Sequence, residues 1–132
     1  MNQEDKELLL KDLCGRLPYG VKGNYQNSDD ELLRKVTIMY RYLEPNGMVM
    51  TGDIKPYLFP MSSMTEEQKQ ESRFESSLLN AFINGYISLF EDEELTVNDI
   101  VRMLDWLNKN HFDYRDLIPK GLAIDCTNLN IY

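Results

Sequence analysis

The stretch that decides the fold runs Ile54-Lys55-Pro56-Tyr57-Leu58-Phe59-Pro60-Met61-Ser62-Ser63-Met64-Thr65-Glu66-Glu67-Gln68. Its first seven residues favour an extended conformation, and the two prolines confine them to a sheet edge or to a sheet exit because proline lacks a ladder donor. Thr65 and Gln68 have the spacing of a capping box, in which each side chain accepts from the other residue's backbone N–H. A helix is therefore predicted from about 66 to 75. Together with an N-terminal helix and a small antiparallel sheet upstream, this pattern predicts an α+β fold.

Upstream of this stretch the sequence predicts a helix and a small antiparallel sheet. Residues 3–16 form the helix, in which Leu8, Leu9 and Leu13 have helical spacing and Cys14 is expected as a small buried residue. Residues 19–22 could open a short strand. The clearest strand is 35–43 (KVTIMYRYL), which is rich in β-branched and aromatic residues. The turn-forming Glu44-Pro45-Asn46-Gly47 and the returning segment 48–51 complete a predicted hairpin.

Downstream, the sequence does not decide between a helix and a hairpin for residues 77–92. Over 77–92, aromatic and leucine residues recur every four positions, as in a helix, but Asn84-Gly85 has the composition of a hairpin turn. The balance slightly favours a hairpin after Asn80. A helix capped at Thr96 is predicted over about 97–110, with a buried stripe at Ile100, Val101, Leu104 and Leu107, Met103 beside it and Trp106 flanking it. The apolar segments 117–119 and 121–124 are expected to pack onto the body. The sequence thus predicts one α+β domain over 1–132, with two helices and a possible hairpin after the sheet.

The composition excludes several classes of protein. The chain has 132 residues, 42% of them hydrophobic, and a net charge of −8. No apolar run approaches the ~20 residues that span a bilayer, and the acidic N-terminus does not suit a secretory signal. Residues 91–132 hold nine acidic and four basic residues, a field that repels phosphate backbones. Direct binding to nucleic acid or membrane is therefore not expected.

No catalytic, metal-binding or cofactor-binding motif is found, and no cofactor is expected. Cys14 and Cys126 are far apart in the sequence and are expected to be unpaired thiols in a reduced, cytoplasmic setting. His111 is the single histidine and is expected to end a helix and titrate near neutral pH. Asp113 and Asp116 flank Arg115, which predicts a salt bridge that closes the tail.

Two sets of residues are candidates for binding a protein partner. The first is the acidic run of Glu91, Asp92, Glu93 and Glu94, which a basic surface would complement. The simpler interpretation is that these acidic residues are solvated and only keep the protein soluble, without binding a partner. The second set is an aromatic group on the β layer, for which a role in the core is favoured over a role in binding; its members are Tyr40, Tyr42, Tyr57 and Phe59.

Three segments resemble one known family: KDLCGRLPYGVK over 11–22, KPYLFPMSSMTEE over 55–67, and WLNKNHFDYRDLIPKGLA over 106–123. They are similar to a family of short uncharacterised proteins encoded by gut bacteria and their phages. The resemblance implies an accessory protein that acts inside a bacterial cell, and it implies no activity, cofactor or catalytic residue.

Two functional hypotheses follow from these observations. The first is a non-enzymatic interaction module or inhibitor that binds a host or viral protein. The alternative is an acidic nucleic-acid mimic that blocks a nucleic-acid-binding protein. An enzyme is disfavoured because a single histidine and no recognisable motif leave little from which to build an active site.

Overall fold

The computed structural model describes residues 1–26, 29–72 and 97–132. The α+β class predicted from the sequence is confirmed: the chain forms an N-terminal helix, a five-stranded sheet, and further helices that lie between the third and fourth strands in sequence. The elements, in chain order, are α1 (Gln3–Arg16), β1 (Lys22–Tyr25), β2 (Val36–Thr37), β3 (Ile54–Pro60), α2 (Glu66–Ser72), α3 (Val97–Lys109), β4 (Phe112–Asp113) and β5 (Ile124–Asp125). The segment 77–92, where helix and hairpin remain open, lies outside the described residues.

Helix α1 has the predicted bounds, but its buried face differs from the expected one. Asn2 caps the helix by accepting from the Asp5 N–H at 2.8 Å. Leu9 and Leu13 are buried as predicted, whereas Cys14 is exposed. The prediction of a buried Cys14 is wrong, because the side of the helix that faces the core includes Asp12 and Arg16, both fully buried, and excludes Cys14. These four buried residues recur at spacings of three and four, which places them on one side of the helix.

The sheet is mixed rather than purely antiparallel. Strands β2, β1 and β3 are antiparallel neighbours, whereas β4 and β5 both pair with β3 in parallel. The two parallel strands come from the C-terminal segment 112–132, which we call the tail. The sequence predicted only that apolar residues of this segment pack onto the body. The sheet therefore depends on contacts between residues far apart in the chain.

β3 is the central strand, so its predicted place at an edge is wrong. Gln26 donates to the Asp53 carbonyl at 2.7 Å, which makes 26/53 a hydrogen-bonded pair of the β1–β3 ladder. Hydrogen-bonded and non-hydrogen-bonded pairs alternate along an antiparallel ladder, so the pair of Gly23 with Pro56 is non-hydrogen-bonded. The backbone nitrogen of Pro56 therefore points away from β1. Pro60 ends the strand. Neither proline therefore removes a bond that the ladder with β1 needs.

The long strand predicted over 35–43 and its hairpin are also wrong. Only Val36 and Thr37 form a strand, and Tyr40–Leu43 is a 3-10 helix closed by a bond from the Tyr42 N–H to the Met39 carbonyl at 2.9 Å. Turns follow from 44 to 53. On a continuous strand Ile38 and Leu43 would face opposite sides, yet both are buried in one core. The 3-10 helix is what turns both side chains inward.

The capping box is confirmed at the start of α2. The Thr65 N–H donates to Gln68 Oε1 at 2.8 Å, and the Gln68 N–H donates to Thr65 Oγ1 at 3.2 Å.

In α3 the buried centre is formed by Met103 and Leu107, whereas Leu104 is half-buried and Val101 is exposed. The buried side of α3 is therefore centred on Met103 and Leu107, and the predicted burial of Val101 is wrong. No helix among the described residues is long and apolar enough to cross a membrane.

Most of the buried hydrophobic residues form two clusters. The larger one joins α1 to β3 and to Leu117, Leu122 and Ala123 of the tail. The smaller one contains Met61, Met64, Met103, Leu107 and Phe112, with Trp106 stacked on Phe112 at a ring-centroid distance of 5.7 Å. Both clusters therefore need the C-terminal segment in place.

Candidate functional site

A fully buried ion pair lies between α1 and the tail. Arg16 Nε donates to Asp12 Oδ2 at 2.7 Å, and Arg16 Nη2 donates to Asp12 Oδ1 at 3.1 Å. Both side chains have no solvent exposure. Arg115 Nε approaches the same carboxylate at 3.5 Å from the tail. Two guanidinium groups therefore share one buried carboxylate.

The guanidinium of Arg16 also binds the backbone of the tail. Its Nη2 donates to the Phe112 carbonyl at 2.6 Å, across 96 residues of sequence. The guanidinium carbons of Arg16 and Arg115 lie 5.1 and 5.3 Å from the centre of the Tyr114 ring, which is within the range of cation–π attraction. This cluster of Asp12, Arg16, Tyr114 and Arg115 joins the first helix to strand β4.

Asp113 has a different role from the predicted one. Its two carboxylate oxygens accept from the Leu117 and Ile118 N–H groups, both at 2.9 Å. The buried Asp113 therefore fixes the turn that follows β4, and Arg115 pairs with Asp12 instead. The predicted salt bridge of Arg115 with Asp113 or Asp116 is wrong, because the Asp113 carboxylate accepts from the two backbone N–H groups and Arg115 lies beside Asp12 of α1.

His111 follows α3 in a left-handed conformation and is enclosed by the tail. Its ring stacks on Tyr132 at a centroid distance of 3.6 Å, and its carbonyl accepts from the Phe59 N–H at 2.8 Å. Burial, together with smaller effects of the Arg16 and Lys22 charges, lowers the pKa of His111 to about 4. The prediction that His111 titrates near neutral pH is wrong, since its imidazole is enclosed and close to two cations.

Tyr132 closes a gap between β1 and β3. Its hydroxyl accepts from the Lys22 N–H and donates to the Tyr57 carbonyl, each at 2.8 Å. The register that pairs Gly23 with Pro56 makes Lys22 and Tyr57 the next pair along the ladder. The hydroxyl therefore takes the place of a direct bond between the two strands.

Tyr132→Phe is expected to lower the free energy of unfolding by about 1–3 kcal/mol, because it leaves a donor and an acceptor of the ladder unsatisfied. Chemical denaturation of the parent and the variant measures this change. Tyr40→Phe is the matched control, since Tyr40 is largely exposed and should change stability little. Equal effects of the two variants would show that the Tyr132 hydroxyl does not bridge the strands.

The low pKa of His111 predicts a loss of stability in acid. Between pH 6.5, its ordinary pKa, and pH 4, the unfolded chain binds a proton that the folded chain does not. The contribution of His111 to stability is complete above about pH 6.5 and falls on acidification by on the order of 3 kcal/mol. His111→Asn should lack this component of the pH dependence, and asparagine tolerates the left-handed conformation.

Proton NMR tests the same point directly, because His111 is the only histidine of the chain. Its ring resonances should titrate with a midpoint near 4 in the folded protein. A midpoint between 6 and 7, near the ordinary histidine value, would show that the ring is solvated and the stack with Tyr132 is absent.

The two cysteines are free, and they should differ in reactivity. Cys14 is exposed, whereas Cys126 is buried and its pKa is raised to about 11 by burial and by Asp125. A thiol reagent at neutral pH should therefore modify Cys14 alone in the folded protein and both thiols in denaturant. Rapid modification of both in the folded protein would contradict the packing of the tail.

The exposed apolar residues concentrate in the segment between β1 and the turns. Leu32 and Tyr40 are 81% and 69% exposed, and Leu33 and Met39 are also exposed. Arg34, Lys35 and Arg41 are exposed among them, and residues 32–43 contain no acidic residue. We refer to residues 32–41 as the basic apolar segment.

The structure separates the predicted partner-binding residues. Tyr40 is on the surface, within the basic apolar segment. Tyr42 is half-buried against the core under the Arg41 guanidinium, and Tyr57 is buried with its hydroxyl donating to the Arg34 carbonyl at 2.7 Å. Phe59 packs on Phe112 and Tyr132. The acidic run of Glu91, Asp92, Glu93 and Glu94 lies outside the described residues.

The residues of the buried ionic cluster, Asp12 and Arg16, are absent from the sequence-based candidates. One signal does point to them: they lie three positions after Leu9 and Leu13, on the same side of the helix as these apolar residues. Within the described ranges, no group of three or more histidine, cysteine or carboxylate residues could hold a metal ion.

A scan against protein families finds no match to this chain, and searches of curated proteins and of solved structures find none either.

Proposed function

We propose that this chain is a non-enzymatic accessory protein of bacterial or phage origin, acting in the cytoplasm, that binds another protein through the basic apolar segment. The observation that carries the proposal is the exposure of four large apolar side chains within nine residues. Single exposed apolar residues are common on protein surfaces, whereas a concentration of them is typical of interaction sites. Tyrosine and arginine, which are both present, are frequent anchors of protein interfaces.

The chemistry of the buried residues supports a non-enzymatic role. The Asp12 carboxylate is paired with Arg16 and lies close to Arg115, and Arg16 also donates to the Phe112 carbonyl. Arg16 Nη1 and Arg115 Nε are buried without a hydrogen-bond partner among the described residues. The imidazole of His111 is a weak base with a pKa of about 4, and the Cys126 thiol is a poor nucleophile at neutral pH. These groups stabilise the contact between α1, β3 and the tail.

The test compares two double variants, each of which replaces two exposed apolar residues by serine. Leu32→Ser with Tyr40→Ser removes apolar surface from the basic apolar segment, whereas Leu10→Ser with Leu129→Ser removes exposed apolar residues elsewhere. A partner is captured by the parent protein from cells of the organism that encodes it, identified by mass spectrometry, and purified. Calorimetric titration with that partner should show binding weakened by about tenfold or more for the first variant and unchanged for the second. Equal affinities of both variants would overturn the proposal.

A further inference from the structure

The outer edge of the sheet is formed by β2, and its backbone groups have a defined direction. The Ile38 N–H donates to the Val21 carbonyl at 2.9 Å, so 21/38 is a hydrogen-bonded pair of the β1–β2 ladder. The next pair, Lys22 with Thr37, is then a non-hydrogen-bonded pair. The N–H and the C=O of Thr37 therefore point away from β1, toward the outside of the sheet.

Nothing in the part of the chain that the structure describes pairs with this outer edge. β2 has β1 as its sheet neighbour, and the order of the sheet places β2 at the end. An edge strand with outward-pointing backbone groups is a template for one more strand. Apolar side chains lie at both ends of β2: Leu32 and Leu33 before it, Met39 and Tyr40 after it.

The charge at this edge is opposite to that of the whole protein. Arg34, Lys35 and Arg41 are exposed, and among the described residues none of the three takes part in an ion pair. Lys22 adds a fourth positive charge, with its Nζ 3.1 Å from Thr37 Oγ1. The net charge of the chain is −8, yet the charged residues over 32–43 are all cations. Acidic residues flank this range, with Asp29, Asp30 and Glu31 before it and Glu44 after it. An acidic ligand would complement it.

We propose that the β2 edge binds an extended, acidic segment of a partner protein as an additional strand of the sheet. Backbone hydrogen bonds to Thr37 position the segment, its carboxylates lie beside Arg34, Lys35 and Arg41, and its apolar side chains contact Leu32 and Tyr40. The inference rests on the proposed function and specifies the chemistry of the partner.

Two other occupants fit these observations less well. A second copy of this chain, paired through the same edge, would place two segments of like charge side by side, because each copy contributes Arg34, Lys35 and Arg41. An anionic membrane would satisfy the charges, but it offers no backbone groups to hydrogen-bond with Thr37. The extended acidic peptide satisfies the charges, the apolar residues and the backbone groups.

The experiment uses the full chain and a set of fluorescein-labelled peptides of about eight residues, the length of an ordinary strand. In each peptide glutamate alternates with valine, leucine, isoleucine, phenylalanine or tyrosine. Two matched sets carry glutamine in place of glutamate, or N-methylated backbone at the two central residues. Fluorescence anisotropy should show that the best acidic peptide binds, and that its glutamine and N-methylated forms bind about tenfold more weakly or worse.

Two triple variants assign that binding to the edge. Arg34→Glu with Lys35→Glu and Arg41→Glu reverses the charge of the segment, and Lys11→Glu with Lys109→Glu and Lys120→Glu makes the same change in net charge at exposed positions elsewhere. The first variant should lose binding by about tenfold or more, and the second should lose far less. On binding, the Thr37 amide should become protected from hydrogen exchange, which an attraction of charges alone would not produce.

Several results would overturn the proposal. Equal binding of the glutamate and glutamine peptides, equal binding by the two triple variants, or an unprotected Thr37 amide would each do so. Absence of binding by every peptide up to about 1 mM would also overturn it. Charge-dependent binding of the parent to phosphatidylserine vesicles, without binding of peptides, would assign the surface to membranes instead.

The two proposals can fail separately. If peptides fail but the captured partner still depends on Leu32 and Tyr40, strand addition is wrong and protein binding stands. If the partner is insensitive to Leu32 and Tyr40, the proposed function itself is wrong.

Discussion

Arg16→Met is expected to lower the free energy of unfolding by about 3–5 kcal/mol. The substitution removes one partner of a fully buried ion pair and leaves the Asp12 carboxylate with only the more distant Arg115 at 3.5 Å. It also removes the donor of the 2.6 Å bond to the Phe112 carbonyl, so that α1 loses its polar contact with β4. Urea denaturation of the parent and the variant measures the difference.

A second variant separates the loss of a partner from the loss of packing. Asp12→Leu combined with Arg16→Met removes both charges, and the double variant should recover most of the lost stability, because apolar residues of similar volume often replace a buried pair at little cost. Lys69→Met is the control for an exposed pair: Lys69 lies 3.3 Å from a largely exposed Glu66, and its loss should cost at most about 1 kcal/mol. If Arg16→Met and Lys69→Met cost the same, the Asp12–Arg16 pair is solvated and the described burial is wrong.

Phe112→Ala is expected to lower the free energy of unfolding by a similar amount, about 3–5 kcal/mol. Phe112 is fully buried, and its ring packs between those of Trp106 and Phe59 at centroid distances of 5.7 and 6.0 Å. Truncation to alanine would leave a cavity at the point where α3, β3 and β4 meet. Denaturant midpoints, with unchanged denaturant dependence, report the change in stability.

Tyr40→Ala is the matched control for Phe112→Ala. Both substitutions remove an aromatic ring, but Tyr40 is 69% exposed and its loss should change stability by no more than about 0.5 kcal/mol. If the two variants unfolded at the same denaturant concentration, the tail residue Phe112 would not belong to the core.

The local elements follow from the sequence because their determinants are neighbours in the chain. The bounds of α1 follow from an Asn2 cap and from Pro18 beyond its end, and the start of α2 follows from the reciprocal bonds of Thr65 and Gln68. Such caps act within one turn of helix, so the pattern of residues is sufficient.

The candidate binding surface is only partly predictable for a related reason. The composition of 35–43 is that of a strand, and it indicates that Tyr40, Tyr42 and Tyr57 could share one surface. The 3-10 helix at 40–43 exposes Tyr40 while Tyr42 packs against the core, and Tyr57 is enclosed on the central strand. Which aromatic side chain remains outside depends on what covers each one, and the covering residues are distant in sequence.

By itself, the sequence determined the α+β class, the first helix and the capping box, because helix caps and apolar periodicity act over a few residues. The tertiary structure alone decided that β3 is central, that β4 and β5 join it in parallel, and that the Asp12–Arg16 pair is buried. Asp12 and Arg16, four residues apart on a helix, have the spacing of an ordinary exposed pair. The tail buries this pair when the Phe112 carbonyl binds Arg16, a contact across 96 residues that no local pattern encodes.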